Sequence, residues 1–195
     1  MLSYKESLKI LKETNALLDG HFILSSGLHS PQYVQCAKLL SYPKKAKKII
    51  KSLSLKIKKS FKKIDLILSP AMGGVIIGYE IGRLLNIETI FCERVNGTFL
   101  LRRGFNIVKN SKVLIVEDVI TTGKSSLECS KLVKNYKANI VGYTSIINRS
   151  NKNYLNSKKI VSQVRINIPT FINKKIPKNL KIIKVSKPGS RYIIS

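Results

Sequence analysis

The residues with the clearest chemical potential stand close together: the adjacent carboxylates Glu117 and Asp118, then Thr121, Thr122, Gly123, Lys124 and Ser125. The acids close an apolar run, Val113-Leu114-Ile115-Val116, and the hydroxyl-and-glycine loop opens a helix-like stretch. Carboxylates accept hydrogen bonds from sugar hydroxyls, and backbone N–H groups at a helix N-terminus attract a phosphate. Together they imply a phosphorylated sugar with free hydroxyls. Gly123-Lys124-Ser125 shares its letters with the end of a P-loop, but that motif needs a glycine where Asp118 stands. A nucleotide triphosphatase is therefore not expected. Two neighbouring acids in a chain so poor in acids also argue against a plain strand with a solvated end.

Two further clusters accompany this one. Ser69-Pro70-Ala71-Met72-Gly73-Gly74 follows an apolar run and precedes a helix-like stretch, and its small residues let backbone N–H groups approach an anion. It lacks the spacing of a dinucleotide-binding glycine motif. Arg94, Arg102 and Arg103 bracket a loop rich in Gly, Asn and Arg over residues 95–110, in a chain whose usual cation is lysine. Three guanidiniums could offset negative charge on a phosphorylated ligand.

The elements that must position these groups are legible as patterns. Ser3 and Glu6 form a capping-box pair, and Tyr4, Leu8, Leu11 and Leu18 recur at helical spacing as far as Gly20. His21–Leu24 and Gln32–Ala37 read as short strands around a Ser-Ser-Gly turn. Pro43 opens a second helix with Ala46, Ile49, Ile50, Leu53 and Ile57 inward. Apolar runs at Leu66–Leu68, Thr89–Cys92, Val113–Val116 and Ile140–Ile147, with helices near Val75–Leu85 and Ser125–Tyr136, predict an α/β fold with a mostly parallel sheet covered by helices. In such sheets ligands bind beyond the carboxyl ends of the strands. Past Ser150 the chain is lysine-rich, with strand-like runs at Ile160–Ile168 and Leu180–Val185, and reads as a peripheral continuation of the same domain.

Composition sets the bounds. At 195 residues one domain is expected. No apolar run approaches the ~20 residues of a membrane span, and the polar, capped N-terminus does not read as a signal peptide. Cys36, Cys92 and Cys129 are odd in number, far apart in sequence and set among apolar neighbours, so they read as reduced core residues of a cytoplasmic protein. The formal charge of +26 comes almost wholly from lysines spread along helix faces. Arginine, the preferred reader of base edges, is scarce, so specific nucleic-acid binding is not expected, whereas nonspecific attraction to polyanions at low salt is.

The segment from Val113 to Ser125 resembles the binding motif for 5-phosphoribosyl 1-diphosphate (PRPP) in type I phosphoribosyltransferases. The stretch Gly20–Tyr33, with Ser26-Gly27-Leu28-His29-Ser30-Pro31, resembles the N-terminal hairpin of the orotate-specific members of that family. Glu93-Arg94-Val95-Asn96-Gly97, Leu101–Phe105 and Lys187–Arg191 are similar to one bacterial branch, the one known from Thermus. The resemblance implies the family's fold: a central, mostly parallel sheet flanked by helices, with a small N-terminal hood. It implies one domain over residues 1–195, with 1–40 contributing to the hood over the base and 60–150 forming the PRPP-binding core.

By the same resemblance, Glu117 and Asp118 bind the ribose hydroxyls, Thr121, Thr122, Gly123, Lys124 and Ser125 hold the 5′-phosphate, Val119 and Ile120 belong to the same PRPP-binding segment, and Met72, Gly73, Gly74 and Arg94 contact PRPP at its diphosphate. Glu117, Asp118, Arg102 and Arg103 are the expected catalytic set. Orotate falls to Arg149, Thr121, Ser25, Ser26, Gly27 and Tyr33; a guanidinium can take the orotate carboxylate through two hydrogen bonds. Mg²⁺ is the implied cofactor, held mainly through substrate with no protein metal site of its own. A homodimer sharing the active-site loop is the implied assembly. Ser25 stands where many of these enzymes have lysine, and the loop lacks the usual catalytic lysine. A purine- or uracil-specific relative, and a PRPP-sensing regulator that contacts nucleic acid on the same fold, remain as alternatives.

Overall fold

The computed structural model describes residues 1–188. Helix α1 (Tyr4–Glu13) starts on the capping box, with the Glu6 N–H donating to Ser3 Oγ and the Ser3 N–H to Glu6 Oε2. It stops earlier than the leucine spacing predicts. Asn15 takes a left-handed φ of 55°, and the chain turns directly into β1 (Leu17–Ile23), so Leu18 belongs to a strand, opposite Tyr33 of β2 (His29–Val34). The second strand also ends earlier than expected, because the Gln35 N–H bonds back to the Ala16 carbonyl and a short helix α2 (Cys36–Leu40) follows.

Helix α3 (Pro43–Ser60) begins at Pro43 and buries Ala46, Ile49, Ile50, Leu53 and Ile57, as its spacing requires. Then the alternation begins: β3 (Leu66–Pro70), α4 (Gly73–Leu85), β4 (Thr89–Val95), β5 (Thr98–Leu100), β6 (Lys112–Ile120), α5 (Lys124–Asn135) and β7 (Asn139–Asn148). Strands β8 (Tyr154–Leu155) and β9 (Lys158–Arg165) follow. The seven-stranded sheet runs β5-β4-β3-β6-β7-β9-β8, with β3, β4, β6, β7 and β9 mutually parallel and β5 and β8 antiparallel at the two edges. Two expectations change here. Residues 95–110 are not wholly a loop, since β4 and β5 form a hairpin turned at Asn96-Gly97. The chain past Ser150 is not merely peripheral, since β9 pairs in register with β7.

The run Leu180–Val185 also departs from a strand. Pro177 caps a one-turn helix α6 (Lys178–Lys181) that buries Leu180, and only β10 (Val185–Ser186) is extended, parallel to β1. The resulting small sheet, β10-β1-β2, stands apart from the main one. The motif Lys187–Arg191 runs beyond the described residues at Gly189.

The main sheet separates two apolar layers. Ile67, Leu114, Val116 and Ile146 pack toward α3 and α4, whereas Leu68, Cys92, Ile115 and Tyr143 pack toward α5. Runs that are apolar at every position are what a strand covered on both faces requires. Cys36, Cys92 and Cys129 are free and buried, yet distance in sequence misleads, because the Cys92 and Cys129 sulfurs lie 3.5 Å apart beneath α5. Leu114 is fully buried in the central strand β6. Leu114→Ala should lower unfolding stability by about 2–5 kcal/mol in urea denaturation, the usual loss for such a cavity.

Candidate functional site

Strand β6 runs on past the acids to Ile120, so Glu117 and Asp118 lie within the strand and not at a solvated end. Successive strand residues face opposite sides of a sheet, and the two carboxylates diverge accordingly. Glu117 points to the α5 side and is only 8% exposed. There it accepts a hydrogen bond from the Ser126 hydroxyl and another from the Ser126 backbone N–H. Asp118 points to the α4 side, where its carboxylate lies against the Gly73 backbone.

Each acid thus meets a different glycine-bearing loop. A Cβ on Gly73 would fall 2.8 Å from Asp118 Oδ1, and one on Gly74 would fall 2.8 Å from the Val116 carbonyl oxygen, so bare backbone is needed at both positions. On the other side, Gly123 takes a φ of 79° at the N-cap of α5, a left-handed turn that glycine adopts without strain. Between that turn and β6 lies a cavity of about 120 Å³ lined by Glu117, Val119 to Ile120 and Thr121 to Ser125. It is small, of a size for one phosphate group, and the first-turn N–H groups of α5 supply the donors an anion needs. Larger clefts, of about 390 Å³ beside Asp65 and 570 Å³ along β9, lack the acid pair and the left-handed glycine turn.

Burial sets the charge of these acids. Loss of water raises the Glu117 pKa from 4.5 to about 7, against the opposing Ser126 hydrogen bonds, and the neighbouring Asp118 charge adds to the rise. Burial likewise raises Asp118 from its ordinary value, opposed by the hydrogen bond from the Val119 N–H to Oδ1.

A third group reaches the same edge. Arg149 follows β7, and its backbone N–H donates to the Ile120 carbonyl at 2.7 Å, next to Thr121. Its Nε is buried without a partner, and burial lowers its pKa. Tyr33 of β2 faces it closely enough to feel its charge, and Phe22 packs on the Tyr33 ring with centroids 5.7 Å apart. The structure therefore brings together Glu117, Asp118, Gly73, Gly74, residues 119–125, Arg149 and Tyr33. Met72 is 85% exposed at the start of α4.

It does not bring in the rest. Ser25, Ser26 and Gly27 are exposed at the tip of the β1–β2 turn, with open space around Gly27. The three arginines are held by acids of their own chain: Arg94 by Glu128 and the Gly97 carbonyl, Arg103 by Glu93 at 2.8 Å, and Arg102 by Glu93 at 3.8 Å. Ser126, Phe22 and Cys36 escaped sequence reading. The Cys36 thiol lies 3.8 Å from the Asp118 carbonyl oxygen, and Phe22 braces Tyr33. Only Ser126, one residue past the loop, had a usable signal, as a second hydroxyl in the first turn of a helix.

Comparisons with known proteins agree on one family. A family profile described as the phosphoribosyl transferase domain matches residues 39–180. The orotate phosphoribosyltransferase of Erythrobacter litoralis is 45% identical over 188 residues, spanning 96% of this chain and 97% of the relative. That of Parvibaculum lavamentivorans is 43% identical, spanning 95% and 97%. The crystal structure of orotate phosphoribosyltransferase from Aeropyrum pernix superposes with a TM-score of 0.66 at 19% identity, covering 81% of this chain and 92% of the other, a likeness of fold.

The protonation of Glu117 gives a direct check. In ¹³C NMR of labelled glutamates its carboxyl should titrate near pH 7, whereas Glu80, held down by its hydrogen bond to Arg83, titrates below the usual range. The folded chain then holds a proton that the unfolded chain has released above pH 4.5, so this group's contribution to stability falls as pH rises from 4.5 to about 7. Ser126→Ala should move the titration higher still.

Proposed function

Since the chain belongs to the orotate phosphoribosyltransferase family of the type I phosphoribosyltransferases, we propose that its own residues carry the family reaction as follows. The 5-phosphoribosyl group of PRPP passes to orotate, giving orotidine 5′-phosphate and pyrophosphate in pyrimidine nucleotide synthesis. The bond from ribose C1 to the diphosphate oxygen breaks, and a bond from C1 to orotate N1 forms as N1 gives up its proton to solvent. The diphosphate leaves with the bonding electron pair, and positive charge develops on the ribose between the two events. Such a reaction asks the protein for position and electrostatics more than for covalent help.

The 5′-phosphate sits in the cavity at the start of α5, on the N–H groups of the 121–125 loop. Glu117, in the wall of that cavity, and Asp118, against the Gly73-Gly74 backbone, accept hydrogen bonds from the ribose hydroxyls. The divergence of the two acids lets a single ribose span the distance from the phosphate loop to the diphosphate loop. Both carboxylates then lie near the carbon that becomes cationic. Hydroxyl donors from the sugar favour the ionised form of Glu117, which burial alone disfavours.

The observation that supports orotate as the base is Arg149. A half-buried guanidinium whose Nε is buried and unpartnered, beside a tyrosine ring and one residue away from Thr121 across the strands, complements a flat ring that carries a carboxylate. Arg94, Arg102 and Arg103 exchange Glu128 and Glu93 for the diphosphate when substrate binds. The turn at Ser25 to Gly27 closes over the base from the hood formed by residues 1–40, and residues 60–150 form the PRPP-binding core of a single domain.

The donor set suits magnesium. The cradle offers carboxylate oxygens, and among the described residues no cluster of three or more His, Cys, Asp or Glu surrounds a common point. A Mg²⁺ ion here would be held mainly through the oxygens of PRPP itself, with Asp118 on the diphosphate-loop side as the nearer carboxylate, and would neutralise diphosphate charge. We take the working form to be a cytoplasmic homodimer that shares the loop 94–105, on the strength of the family resemblance.

Purified protein with Mg²⁺ and PRPP should release pyrophosphate with orotate and not with adenine, hypoxanthine or uracil; release with one of the latter alone would overturn the assignment of the base. Asp118→Asn should cost about 10²–10³ in turnover, the scale of losing an electrostatic contact at the reacting centre, with circular dichroism unchanged. Arg149→Ala should raise the KM for orotate by about 10–100-fold, from the loss of a charge-assisted hydrogen bond. The KM for PRPP should stay near the native value; equal losses for both substrates would remove Arg149 from the base pocket.

A further inference from the structure

We propose that Cys92 and Cys129 form a dithiol site that hydrogen peroxide converts to a disulfide, and that this bond joins the two ends of the PRPP cleft. The chemistry of the pair stands by itself; its effect on substrate rests on the reading of the cleft given above. Both thiols are fully buried, and their sulfurs lie 3.5 Å apart between the end of β4 and the inner face of α5. A disulfide needs two sulfurs that face each other across a short gap. Cys36 has no such neighbour, since its sulfur rests against the Asp118 carbonyl, and all three cysteines are free.

Position gives the bond its consequence. Cys92 pairs in register with Pro70, and its carbonyl accepts from the Ala71 N–H at 2.8 Å, so it anchors the strand end from which the Gly73-Gly74 loop departs. Cys129 lies one turn past Ser126, which holds Glu117 beside the phosphate cradle. Glu93 follows Cys92 and Glu128 precedes Cys129, and these are the acids that hold Arg103 and Arg94. A bond between the sulfurs therefore links the anchor of the diphosphate loop to the helix that opens at the phosphate cradle. PRPP has to span those two loops, and the arginines have to leave their acids for it. Fixing α5 against β4 opposes both. Arg149 follows β7 and Tyr33 lies on β2, outside the joined elements, so the orotate contacts stay as they are.

The step balances with hydrogen peroxide as the only co-reactant. One sulfur, having lost its proton, attacks a peroxide oxygen; the O–O bond breaks, and the hydroxide leaves as water with that proton. This sulfur is now a sulfenic acid. The second thiol attacks it, the S–S bond forms, the S–O bond breaks, and a second water carries off the remaining thiol proton. The sulfurs give up two electrons between them, and the peroxide takes both. The contact with Cys92 and burial push the Cys129 thiol well above its ordinary pKa, so the pair is inert at rest and reacts when α5 lifts from β4. In a reducing compartment the thiols persist, and the bond forms only under oxidative load.

Thiol counting on the full chain tests the proposal. The reduced protein, unfolded in iodoacetamide, should take three labels; after treatment with peroxide and removal of the oxidant it should take one, on Cys36. Mass spectrometry of the digest should find the Cys92 and Cys129 peptides joined. Three labels after peroxide, a bond to Cys36, or labels lost to added oxygen with no joined peptides overturns the site. The oxidised chain should unfold at higher urea, because the closed loop between β4 and α5 restricts the unfolded state. Its KM for PRPP should rise severalfold with the KM for orotate near the native value, and dithiothreitol should restore the first. Cys129→Ala should keep its KM for PRPP through the same treatment; if that variant fails to fold, reversal by dithiothreitol in wild type makes the comparison. A disulfide that leaves the KM for PRPP unchanged overturns the link to the cleft. Failure of the functional reading shows up separately, as a reduced protein that does not consume PRPP with orotate.

Discussion

Two carboxylates stripped of water at neighbouring positions of one central strand are the constraint around which this protein is arranged. Glu117 loses enough solvation for its pKa to reach about 7 even with the Ser126 hydrogen bonds opposing the rise. A strand interior would not hold such groups unless something nearby repaid their burial. The sheet alternation places one acid beside the start of α5 and the other beside the start of α4, so each faces a loop of bare backbone. Replacing either loop with bulkier residues would close the space that makes the acids useful, since a Cβ at Gly73 would touch Asp118 itself.

The remaining elements follow from that arrangement. Parallel strands β3, β4, β6 and β7 bring two strand-to-helix turns to the same edge of the sheet, where β7 also delivers Arg149. The small sheet β10-β1-β2 stands over that edge and brings in Tyr33, braced by Phe22. Within it His21 and His29, both buried, share a hydrogen bond of 2.7 Å and tie the hairpin together, and His21 reaches on to the Ile183 carbonyl. The acid pair with the glycine turn that follows it, the Gly73-Gly74 loop and Arg149 therefore come from three separate segments, ordered by one sheet.

Much of this was readable from residues alone, because the runs that build the sheet are apolar at every position and the glycine-bearing turns punctuate them. The boundaries of α3, α4 and α5 follow from Pro43, Gly73 and Gly123. The misreadings have local causes. Leu18 sits at helical spacing from Leu11, but Asn15 had already turned the chain, and periodicity does not register a left-handed residue between two leucines. Leu180 looked like strand because a one-turn helix is too short to show a period. Within the site, the acid pair and both loops were legible because each is contiguous. Ser126 and Phe22 were not, because their roles depend on side chains that meet only across elements. The pairing of Arg94 with Glu128 and of Arg103 with Glu93 had no sequence signal either, since those partners are scattered along the chain. Net charge was the weakest guide, as the lysines that dominate it lie away from the cradle.

The most direct measurement is a crystal structure of the protein with PRPP and Mg²⁺. The expected density places the 5′-phosphate on the backbone N–H groups of residues 121–125, with ribose hydroxyls about 2.6–3.2 Å from carboxylate oxygens of Glu117 and Asp118, the ordinary hydrogen-bond range, and the diphosphate over Gly73-Gly74. A ribose phosphate found in the cleft along β9 or beside Asp65, with both acids left untouched, would contradict the assignment at its root.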